Sequence, residues 1–147
     1  MIWTCKHFED LKPKELYSII HLRNEVFVVE QNCVYQDADN KDIYSYHLMC
    51  TINNKLVAYA RILPAGLAFA EVSLGRIVTS PSHRREGFGR ILLQKSISQA
   101  YLLFGIVPIR IGAQLYLQKF YESFNFRAVG PFYLEDDIEH VEMLLSN

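Results

Sequence analysis

The sequence predicts an α/β fold, classed α+β in some schemes, with helices flanking a mixed but mostly antiparallel sheet. Three observations predict it. The apolar runs His47 to Ile52 and Leu56 to Leu63 flank Asn53-Asn54-Lys55, which reads as a tight hairpin connection. A strand-like run from Val72 to Thr79 leads through a basic, glycine-containing loop into a helical stretch and then another strand, giving one crossover. No repeat, low-complexity tract or composition break interrupts the 147 residues, so a single domain over 1–147 is expected.

The elements follow in order. Ile2 to Cys5 suits a short strand. Pro13 sits where a first helical turn tolerates proline. From Lys14 to Val29, Leu16, Ile19, Ile20, Val26 and Phe27 keep a helical period that Arg23 interrupts. Asp37 to Asp42 is polar and turn-rich, and Pro64-Ala65-Gly66 turns the chain before the Val72 strand. Phe88, Leu92, Ser96, Ala100 and Leu103 share one side of a helix. A strand is expected at Val107 to Gly112 and a short helix from about Leu115 to Phe124. The last strand, His140 to Leu145, alternates Val141, Met143 and Leu145 with other residues.

Composition narrows the function classes. Half the residues are hydrophobic and 13% are aromatic, which argues against disorder. A formal net charge of −1 disfavours a general nucleic-acid grip, and no apolar stretch reaches membrane-spanning length. Cys5, Cys33 and Cys50 are an odd, scattered trio, and the five histidines form no short metal-binding motif, so no metal is expected. No signal-peptide pattern opens the chain, and a reducing cytoplasm is the simplest setting. Scattered exposed aromatics leave a homodimer open without establishing one.

The most informative stretch is His83-Arg84-Arg85-Glu86-Gly87-Phe88-Gly89-Arg90. Glycines permit a tight turn, and the first-turn amides of the following helix lack intrahelical acceptors, so they can point at an anion. The arginines add positive potential. A nucleotide-binding P-loop is excluded because no lysine and hydroxyl follow Gly89, and the dinucleotide Gly-x-Gly-x-x-Gly register is not met.

Arg84-x-x-Gly87-x-Gly89 resembles the pyrophosphate loop of the GNAT superfamily of N-acetyltransferases, which bind acetyl-coenzyme A. Gln114, Leu117, Phe120-Tyr121 and Asn125-Phe126 fall in register with a second signature of that superfamily. The tyrosine and final phenylalanine match it. Leu117 replaces a smaller residue and threatens to narrow the cofactor groove, and Asn125 replaces a glycine needed in a left-handed conformation. Arg23-x-x-Val26-Phe27-Val28-Val29-Glu30-Gln31, Tyr35-Gln36-Asp37 and Asp39, Val57 to Leu63 and Gly75-Arg76-Ile77-Val78 resemble the ElaA-like branch. The resemblance implies an acyl-CoA N-acyltransferase fold, a seven-stranded sheet splayed between its fourth and fifth strands. It also implies acetyl-coenzyme A in that cleft, its pantetheine arm along the backbone of Ile77, Val78 and Thr79. The pyrophosphate would meet Arg84, Arg85, Glu86, Gly87, Phe88, Gly89 and Arg90, with Gln114 and Phe120 nearby.

The implied reaction is N-acetyl transfer to a small-molecule or peptide amine. The alternative is a catalytically weak coenzyme A-binding regulatory module, for which Leu117 and Asn125 leave room. Tyr121 occupies the family position of the general acid for the leaving thiolate. The general base is open among Glu71, Glu30, His47 and His140, each with an ordinary structural reading. Glu30 and Gln31 lie beside the branch-specific helix and are expected near the acceptor. Arg23, Arg61 and Arg76 interrupt apolar patterns and need carboxylate partners. Either Asp37 or Asp39 supplies these, or the arginines face a carboxylate-bearing acceptor; Arg23, Gln31, His47, Arg76 and His140 are the candidate acceptor-binding residues.

Overall fold

The computed structural model describes residues 1–146. Its eight strands are β1 (Ile2–His7), β2 (Tyr46–Ile52), β3 (Lys55–Leu63), β4 (Val72–Thr79), β5 (Ile109–Gln114), β6 (Arg127–Ala128), β7 (Tyr133–Glu135) and β8 (Ile138–Leu145). The helices are α1 (Pro13–Arg23), α2 (Phe88–Phe104) and α3 (Gln118–Glu122). The strands form one sheet of order β1-β2-β3-β4-β5-β8-β6, with β7 on β8. Every pairing is antiparallel except β4 with β5.

Local chemistry sets the turns. Asn53 and Asn54 both take positive φ (51° and 63°), the two-residue hairpin geometry whose twist matches the flanking strands. Asp136 and Asp137 do the same between β7 and β8 (52° and 62°). The Lys12 N–H at the start of α1 donates to Glu15 Oε1 at 2.8 Å, and Pro13 follows it in the first turn.

Two apolar layers cover opposite faces of the sheet. One packs Phe88, Leu92, Leu93 and Ala100 of α2 with Leu48, Ala60, Leu74, Ile111 and Met143. The other packs Ile19 and Leu22 of α1, with Val26, onto Met49, Tyr59 and Val78. In β4, Val72 and Leu74 belong to the α2 layer, while Val78 belongs to the α1 layer. An uninterrupted strand would keep even positions on one face. The inversion comes from a bulge: Tyr59 opposes Val78 but Arg61 opposes Gly75, so Arg76 and Ile77 together face Ala60. Arg76 has φ 49°, which makes it the one non-glycine residue of positive φ within a strand among the described residues.

The sheet opens on the other side of the bulge. β4 and β5 pair only at Val72–Ile109 and Ser73–Arg110, after which β4 runs to Thr79 and β5 to Gln114 without strand partners to each other. The expected splay is therefore present. Two very short strands, β6 and β7, join the six read from the residue pattern, giving eight where the resemblance implies seven, and the Val107 strand lies two residues later than expected, at Ile109–Gln114.

Candidate active site

The mouth of the split is framed by backbone first. β4 ends at Thr79, a short turn over Pro81–His83 follows, and the chain enters α2 through Arg84 to Gly87. Gly87 takes φ 75° at the helix cap, a conformation that glycine adopts without a Cβ penalty. Arg85 is also left-handed, at φ 68°. Both arginines, Glu86 and Gly87 are exposed, whereas Phe88 turns inward to the core. The loop thus displays charge outward while its next residue anchors it.

The first turn of α2 leans on the helix that follows β5. A Cβ at Gly89 would sit 3.8 Å from the Phe120 ring. Arg90 Nη1 donates to Ser123 Oγ at 3.0 Å, and its guanidinium lies 4.6 Å from the Phe124 centroid. Residues 84–90 therefore bridge the free end of β4 and α3, where the sheet parts. Ile77 packs on the α2 layer and Val78 on the α1 layer, leaving the main chain of Ile77 to Thr79 along an edge that β5 does not cover.

Tyr121 is only 7% exposed, its ring edge-on to Phe120 and Phe126. Burial, with Tyr116 adding to it, pushes its hydroxyl up to about 12. That hydroxyl finds no hydrogen-bond partner among the described residues, yet it is not among the sealed polar atoms. An unsealed phenol of this kind is free to bond solvent or a bound molecule.

On the other flank, α1 continues into a π-helical turn, Asn24–Glu30, in which Gln31 and Cys33 N–H groups donate five residues back to Val26 and Val28. This wider turn places Glu30 beside the basic loop, where it makes a two-point ion pair with Arg84. Hydrogen bonding to Arg84 lowers the Glu30 carboxyl below its usual range, so it is an ionised, paired carboxylate. Gln31 Oε1 accepts from Gln114 Nε2 at 3.5 Å, and the Cys33 thiol donates to the Asp136 carbonyl at 3.5 Å. Together these contacts span from the end of α1 to β5 and to the β7–β8 turn.

Glu71 stands elsewhere. It pairs with Arg110, at 3.0 and 3.1 Å, where β4 and β5 are still joined. Hydrogen bonding to Arg110 lowers the Glu71 carboxyl below its usual range, so it is an ionised, paired carboxylate at the joined end of the split. His140 opposes Gln114, stacks on Tyr133 with centroids 5.7 Å apart and donates from Nδ1–H to the Ile138 carbonyl at 2.7 Å. Its Nε2 lies 3.7 Å from Glu135.

The three interrupting arginines find three aspartates. Arg23, fully buried, donates to Asp37 Oδ2 at 2.8 Å and to Asp42 Oδ1 at 2.7 Å. Arg61 bridges Asp39 and Asp42 at 2.8 and 2.9 Å, with its Nε the one sealed, unpaired side-chain polar atom among the described residues. Arg76 reaches Asp37 at 2.8 Å and Asp39 at 3.4 Å. Of the two readings open for Arg23, an acceptor or a carboxylate partner, its contacts are with carboxylates: it is enclosed by Asp37 and Asp42. Asp42 is the partner that sequence reasoning missed. Burial works to raise Asp39, but its contacts with Arg61 and Arg76 outweigh it and hold the carboxyl well below the usual range.

His47, also expected near an acceptor, is fully buried under the same cluster. Its Nε2 faces the Asp42 carbonyl at 2.9 Å and so carries the proton, and Nδ1 accepts from the Tyr59 hydroxyl at 2.7 Å. Burial lowers its pKa despite the favourable carbonyl contact. The folded chain therefore resists a proton that the unfolded chain takes up near pH ~6.5. Stability from this group is complete above that pH and is lost as pH falls toward the lower folded value. Denaturant midpoints across pH 7.5 to 5 (~ the window set by the histidine) are expected to decline, and His47→Gln to flatten the decline. An equal decline in the variant would remove His47 as its source.

A family model described as an acetyltransferase (GNAT) domain matches residues 9–146. The chain belongs to the GNAT acetyltransferase family. Escherichia coli K12 protein ElaA is 40% identical over 143 residues, covering 96% of this chain and 94% of that protein. Its crystal structure superposes with TM-score 0.90 at 39% identity, over 97% of both chains. An acyl-CoA N-acyltransferase from Pseudomonas aeruginosa superposes with TM-score 0.93 at 42% identity, over 98% of this chain and 99% of that one. An aminoglycoside 6'-N-acetyltransferase solved with coenzyme A shares the fold alone, at TM-score 0.72 and 16% identity, over 99% of this chain and 97% of that one. Acyl transfer from a coenzyme A-linked donor is the reaction class that GNAT membership supports. Two of the departures from the family signature have clear structural places. Leu117 packs against the core, and Asn125 takes the left-handed conformation at φ 71°. Among the described residues, no helix is long and apolar enough to cross a membrane.

Proposed function

We propose that this chain transfers the acetyl group of acetyl-coenzyme A to a primary amine, on a small molecule or a peptide, by direct attack in a ternary complex. The observation that carries the reading is the open edge of β4 with residues 84–90 at its mouth. The pantetheine amides hydrogen-bond to the main chain of Ile77 to Thr79, as an added strand would. The pyrophosphate takes the first amides of α2 and the Arg84, Arg85 and Arg90 side chains, with Phe120 and Gln114 along the arm.

The neutral amine nitrogen then attacks the thioester carbonyl carbon. A backbone N–H near Ile77 receives the developing oxyanion, the C–S bond breaks, and the nitrogen loses its proton to water or a side chain. Tyr121 serves the leaving sulfur of coenzyme A as a hydrogen-bond donor. With its hydroxyl at about 12, it is a weaker acid than a thiol of pKa ~8.5. Its share is therefore a hydrogen bond to the forming thiolate, whose final proton comes through the phenol from solvent. The pairing of Glu71 with Arg110 and the burial of His47 favour a water-relayed base, with Gln31 and His140 on the acceptor wall.

Calorimetry with coenzyme A and the Arg85→Ala variant tests the reading. Micromolar binding weakened by the substitution is expected; no measurable binding by the native chain would sink it. Glu30 sharpens the prediction, because its carboxylate already holds Arg84 as a phosphate would. Glu30→Gln is expected to tighten coenzyme A by about two- to fivefold, the scale of an exposed ion pair. Weaker binding in that variant would show that Glu30 supports the cofactor and does not compete with it.

A further inference from the structure

We propose that Asp37 is a positioning residue for the cofactor-facing strand: it holds the left-handed Arg76 bulge that aims the backbone of Ile77 to Thr79 into the split. The inference rests on the acetyltransferase reading for its functional consequence. Its structural half stands on the ligand-free chain.

Asp37 is 6% exposed and collects hydrogen bonds from three sides. Its carboxylate accepts from Arg76 Nε at 2.8 Å, Arg23 Nε at 2.8 Å and the Tyr35 hydroxyl at 2.7 Å. Its backbone carbonyl accepts a second time from both arginines, Arg76 Nη2 at 3.1 Å and Arg23 Nη2 at 3.2 Å. The Arg76 guanidinium also lies 5.7 Å from the Tyr35 centroid. A positive φ at a residue with a long side chain persists where surrounding contacts over-determine it. Here they come from one short segment, residues 35–39, outside the sheet. Without the bulge, the side chains after position 76 would exchange faces, moving Val78 out of the α1 layer and turning the main-chain groups with it. Asp37 sits on the loop that leads away from the acceptor flank, so the same contact ties that flank to the cofactor edge.

Asp42 provides the control. It is as buried, and pairs with Arg23 and Arg61, but it does not touch Arg76. A purely structural role for the cluster makes Asp37→Asn and Asp42→Asn behave alike. The positioning role separates them. In hydrogen exchange of the ligand-free chain, Asp37→Asn is expected to speed exchange of the 76–79 amides, and Asp42→Asn is not. By calorimetry with coenzyme A, Asp37→Asn is expected to lose about tenfold in affinity while Asp42→Asn stays close to the native value. Adding Arg76→Gly to Asp37→Asn is expected to recover part of the affinity, because glycine keeps the positive φ unaided. Equal exchange and equal affinity in the two aspartate variants would overturn the proposal. If Asp37→Asn does not fold, Arg76→Lys serves instead, since an ammonium lacks the planar fork whose Nε and Nη2 reach the carboxylate and the carbonyl together. Unchanged 76–79 exchange in that variant overturns it equally. Should the native chain bind no coenzyme A, the acetyltransferase reading fails, and the exchange comparison still decides the role of Asp37.

Discussion

Tyr121→Phe is expected to lower kcat by about 100- to 1000-fold while leaving coenzyme A affinity within about twofold of native. The ring stays, so its packing against Phe120 and Phe126 stays, and only the unpartnered hydroxyl is removed. Because burial holds the native hydroxyl near 12, it remains protonated throughout the ordinary assay range. No rate limb from Tyr121 is therefore expected below pH ~10. A pre-steady-state measurement of thiol release with an amine panel reads the chemical step directly. Turnover unchanged in the variant would remove Tyr121 from the reaction.

The largest stability effect is expected at Arg23. Its guanidinium is 0% exposed and donates to Asp37 and Asp42 at once. Arg23→Met keeps much of the volume but leaves two buried carboxylates short of a partner, a loss of about 3–5 kcal/mol. That is a large part of the ~5–15 kcal/mol holding a typical domain together, so the variant is expected to unfold at much lower denaturant or fail to accumulate. Arg61 still reaches Asp42, and Arg76 still reaches Asp37. Adding Asp42→Asn to Arg23→Met is therefore expected to restore part of the loss. A change under ~1 kcal/mol in urea unfolding would show that the cluster is little more than a solvated surface network.

The sequence made some features plain for physical reasons. Asn53-Asn54 carries its own turn geometry, so the β2–β3 hairpin was legible from two residues. Val72 to Thr79 and the helix beginning at Phe88 were legible because strand and helix periods change across a glycine. The three arginines announced buried carboxylates, and Asp37 and Asp39 answered. Other features had no local signature. The bulge at Arg76 is hidden because Leu74, Arg76 and Val78 read as a simple alternation, while the structure sends Leu74 and Val78 to opposite faces. The π turn breaks the helical period by one residue, which pattern reading absorbs as irregularity. β6 and β7 are two and three residues long, too short for any periodicity. His47, Glu30 and Glu71 show why candidate bases are hard to rank from sequence: what decides each is a partner distant in the chain, Tyr59, Arg84 and Arg110.

A crystal structure with coenzyme A bound tests the central claim most directly. The account predicts the pantetheine arm between β4 and β5, hydrogen-bonded to the main chain of Ile77 to Thr79, with the pyrophosphate on the amides that open α2 and the sulfur within reach of the Tyr121 hydroxyl. Coenzyme A seated away from residues 84–90, or its thiol on the side of the sheet opposite Tyr121, would contradict it.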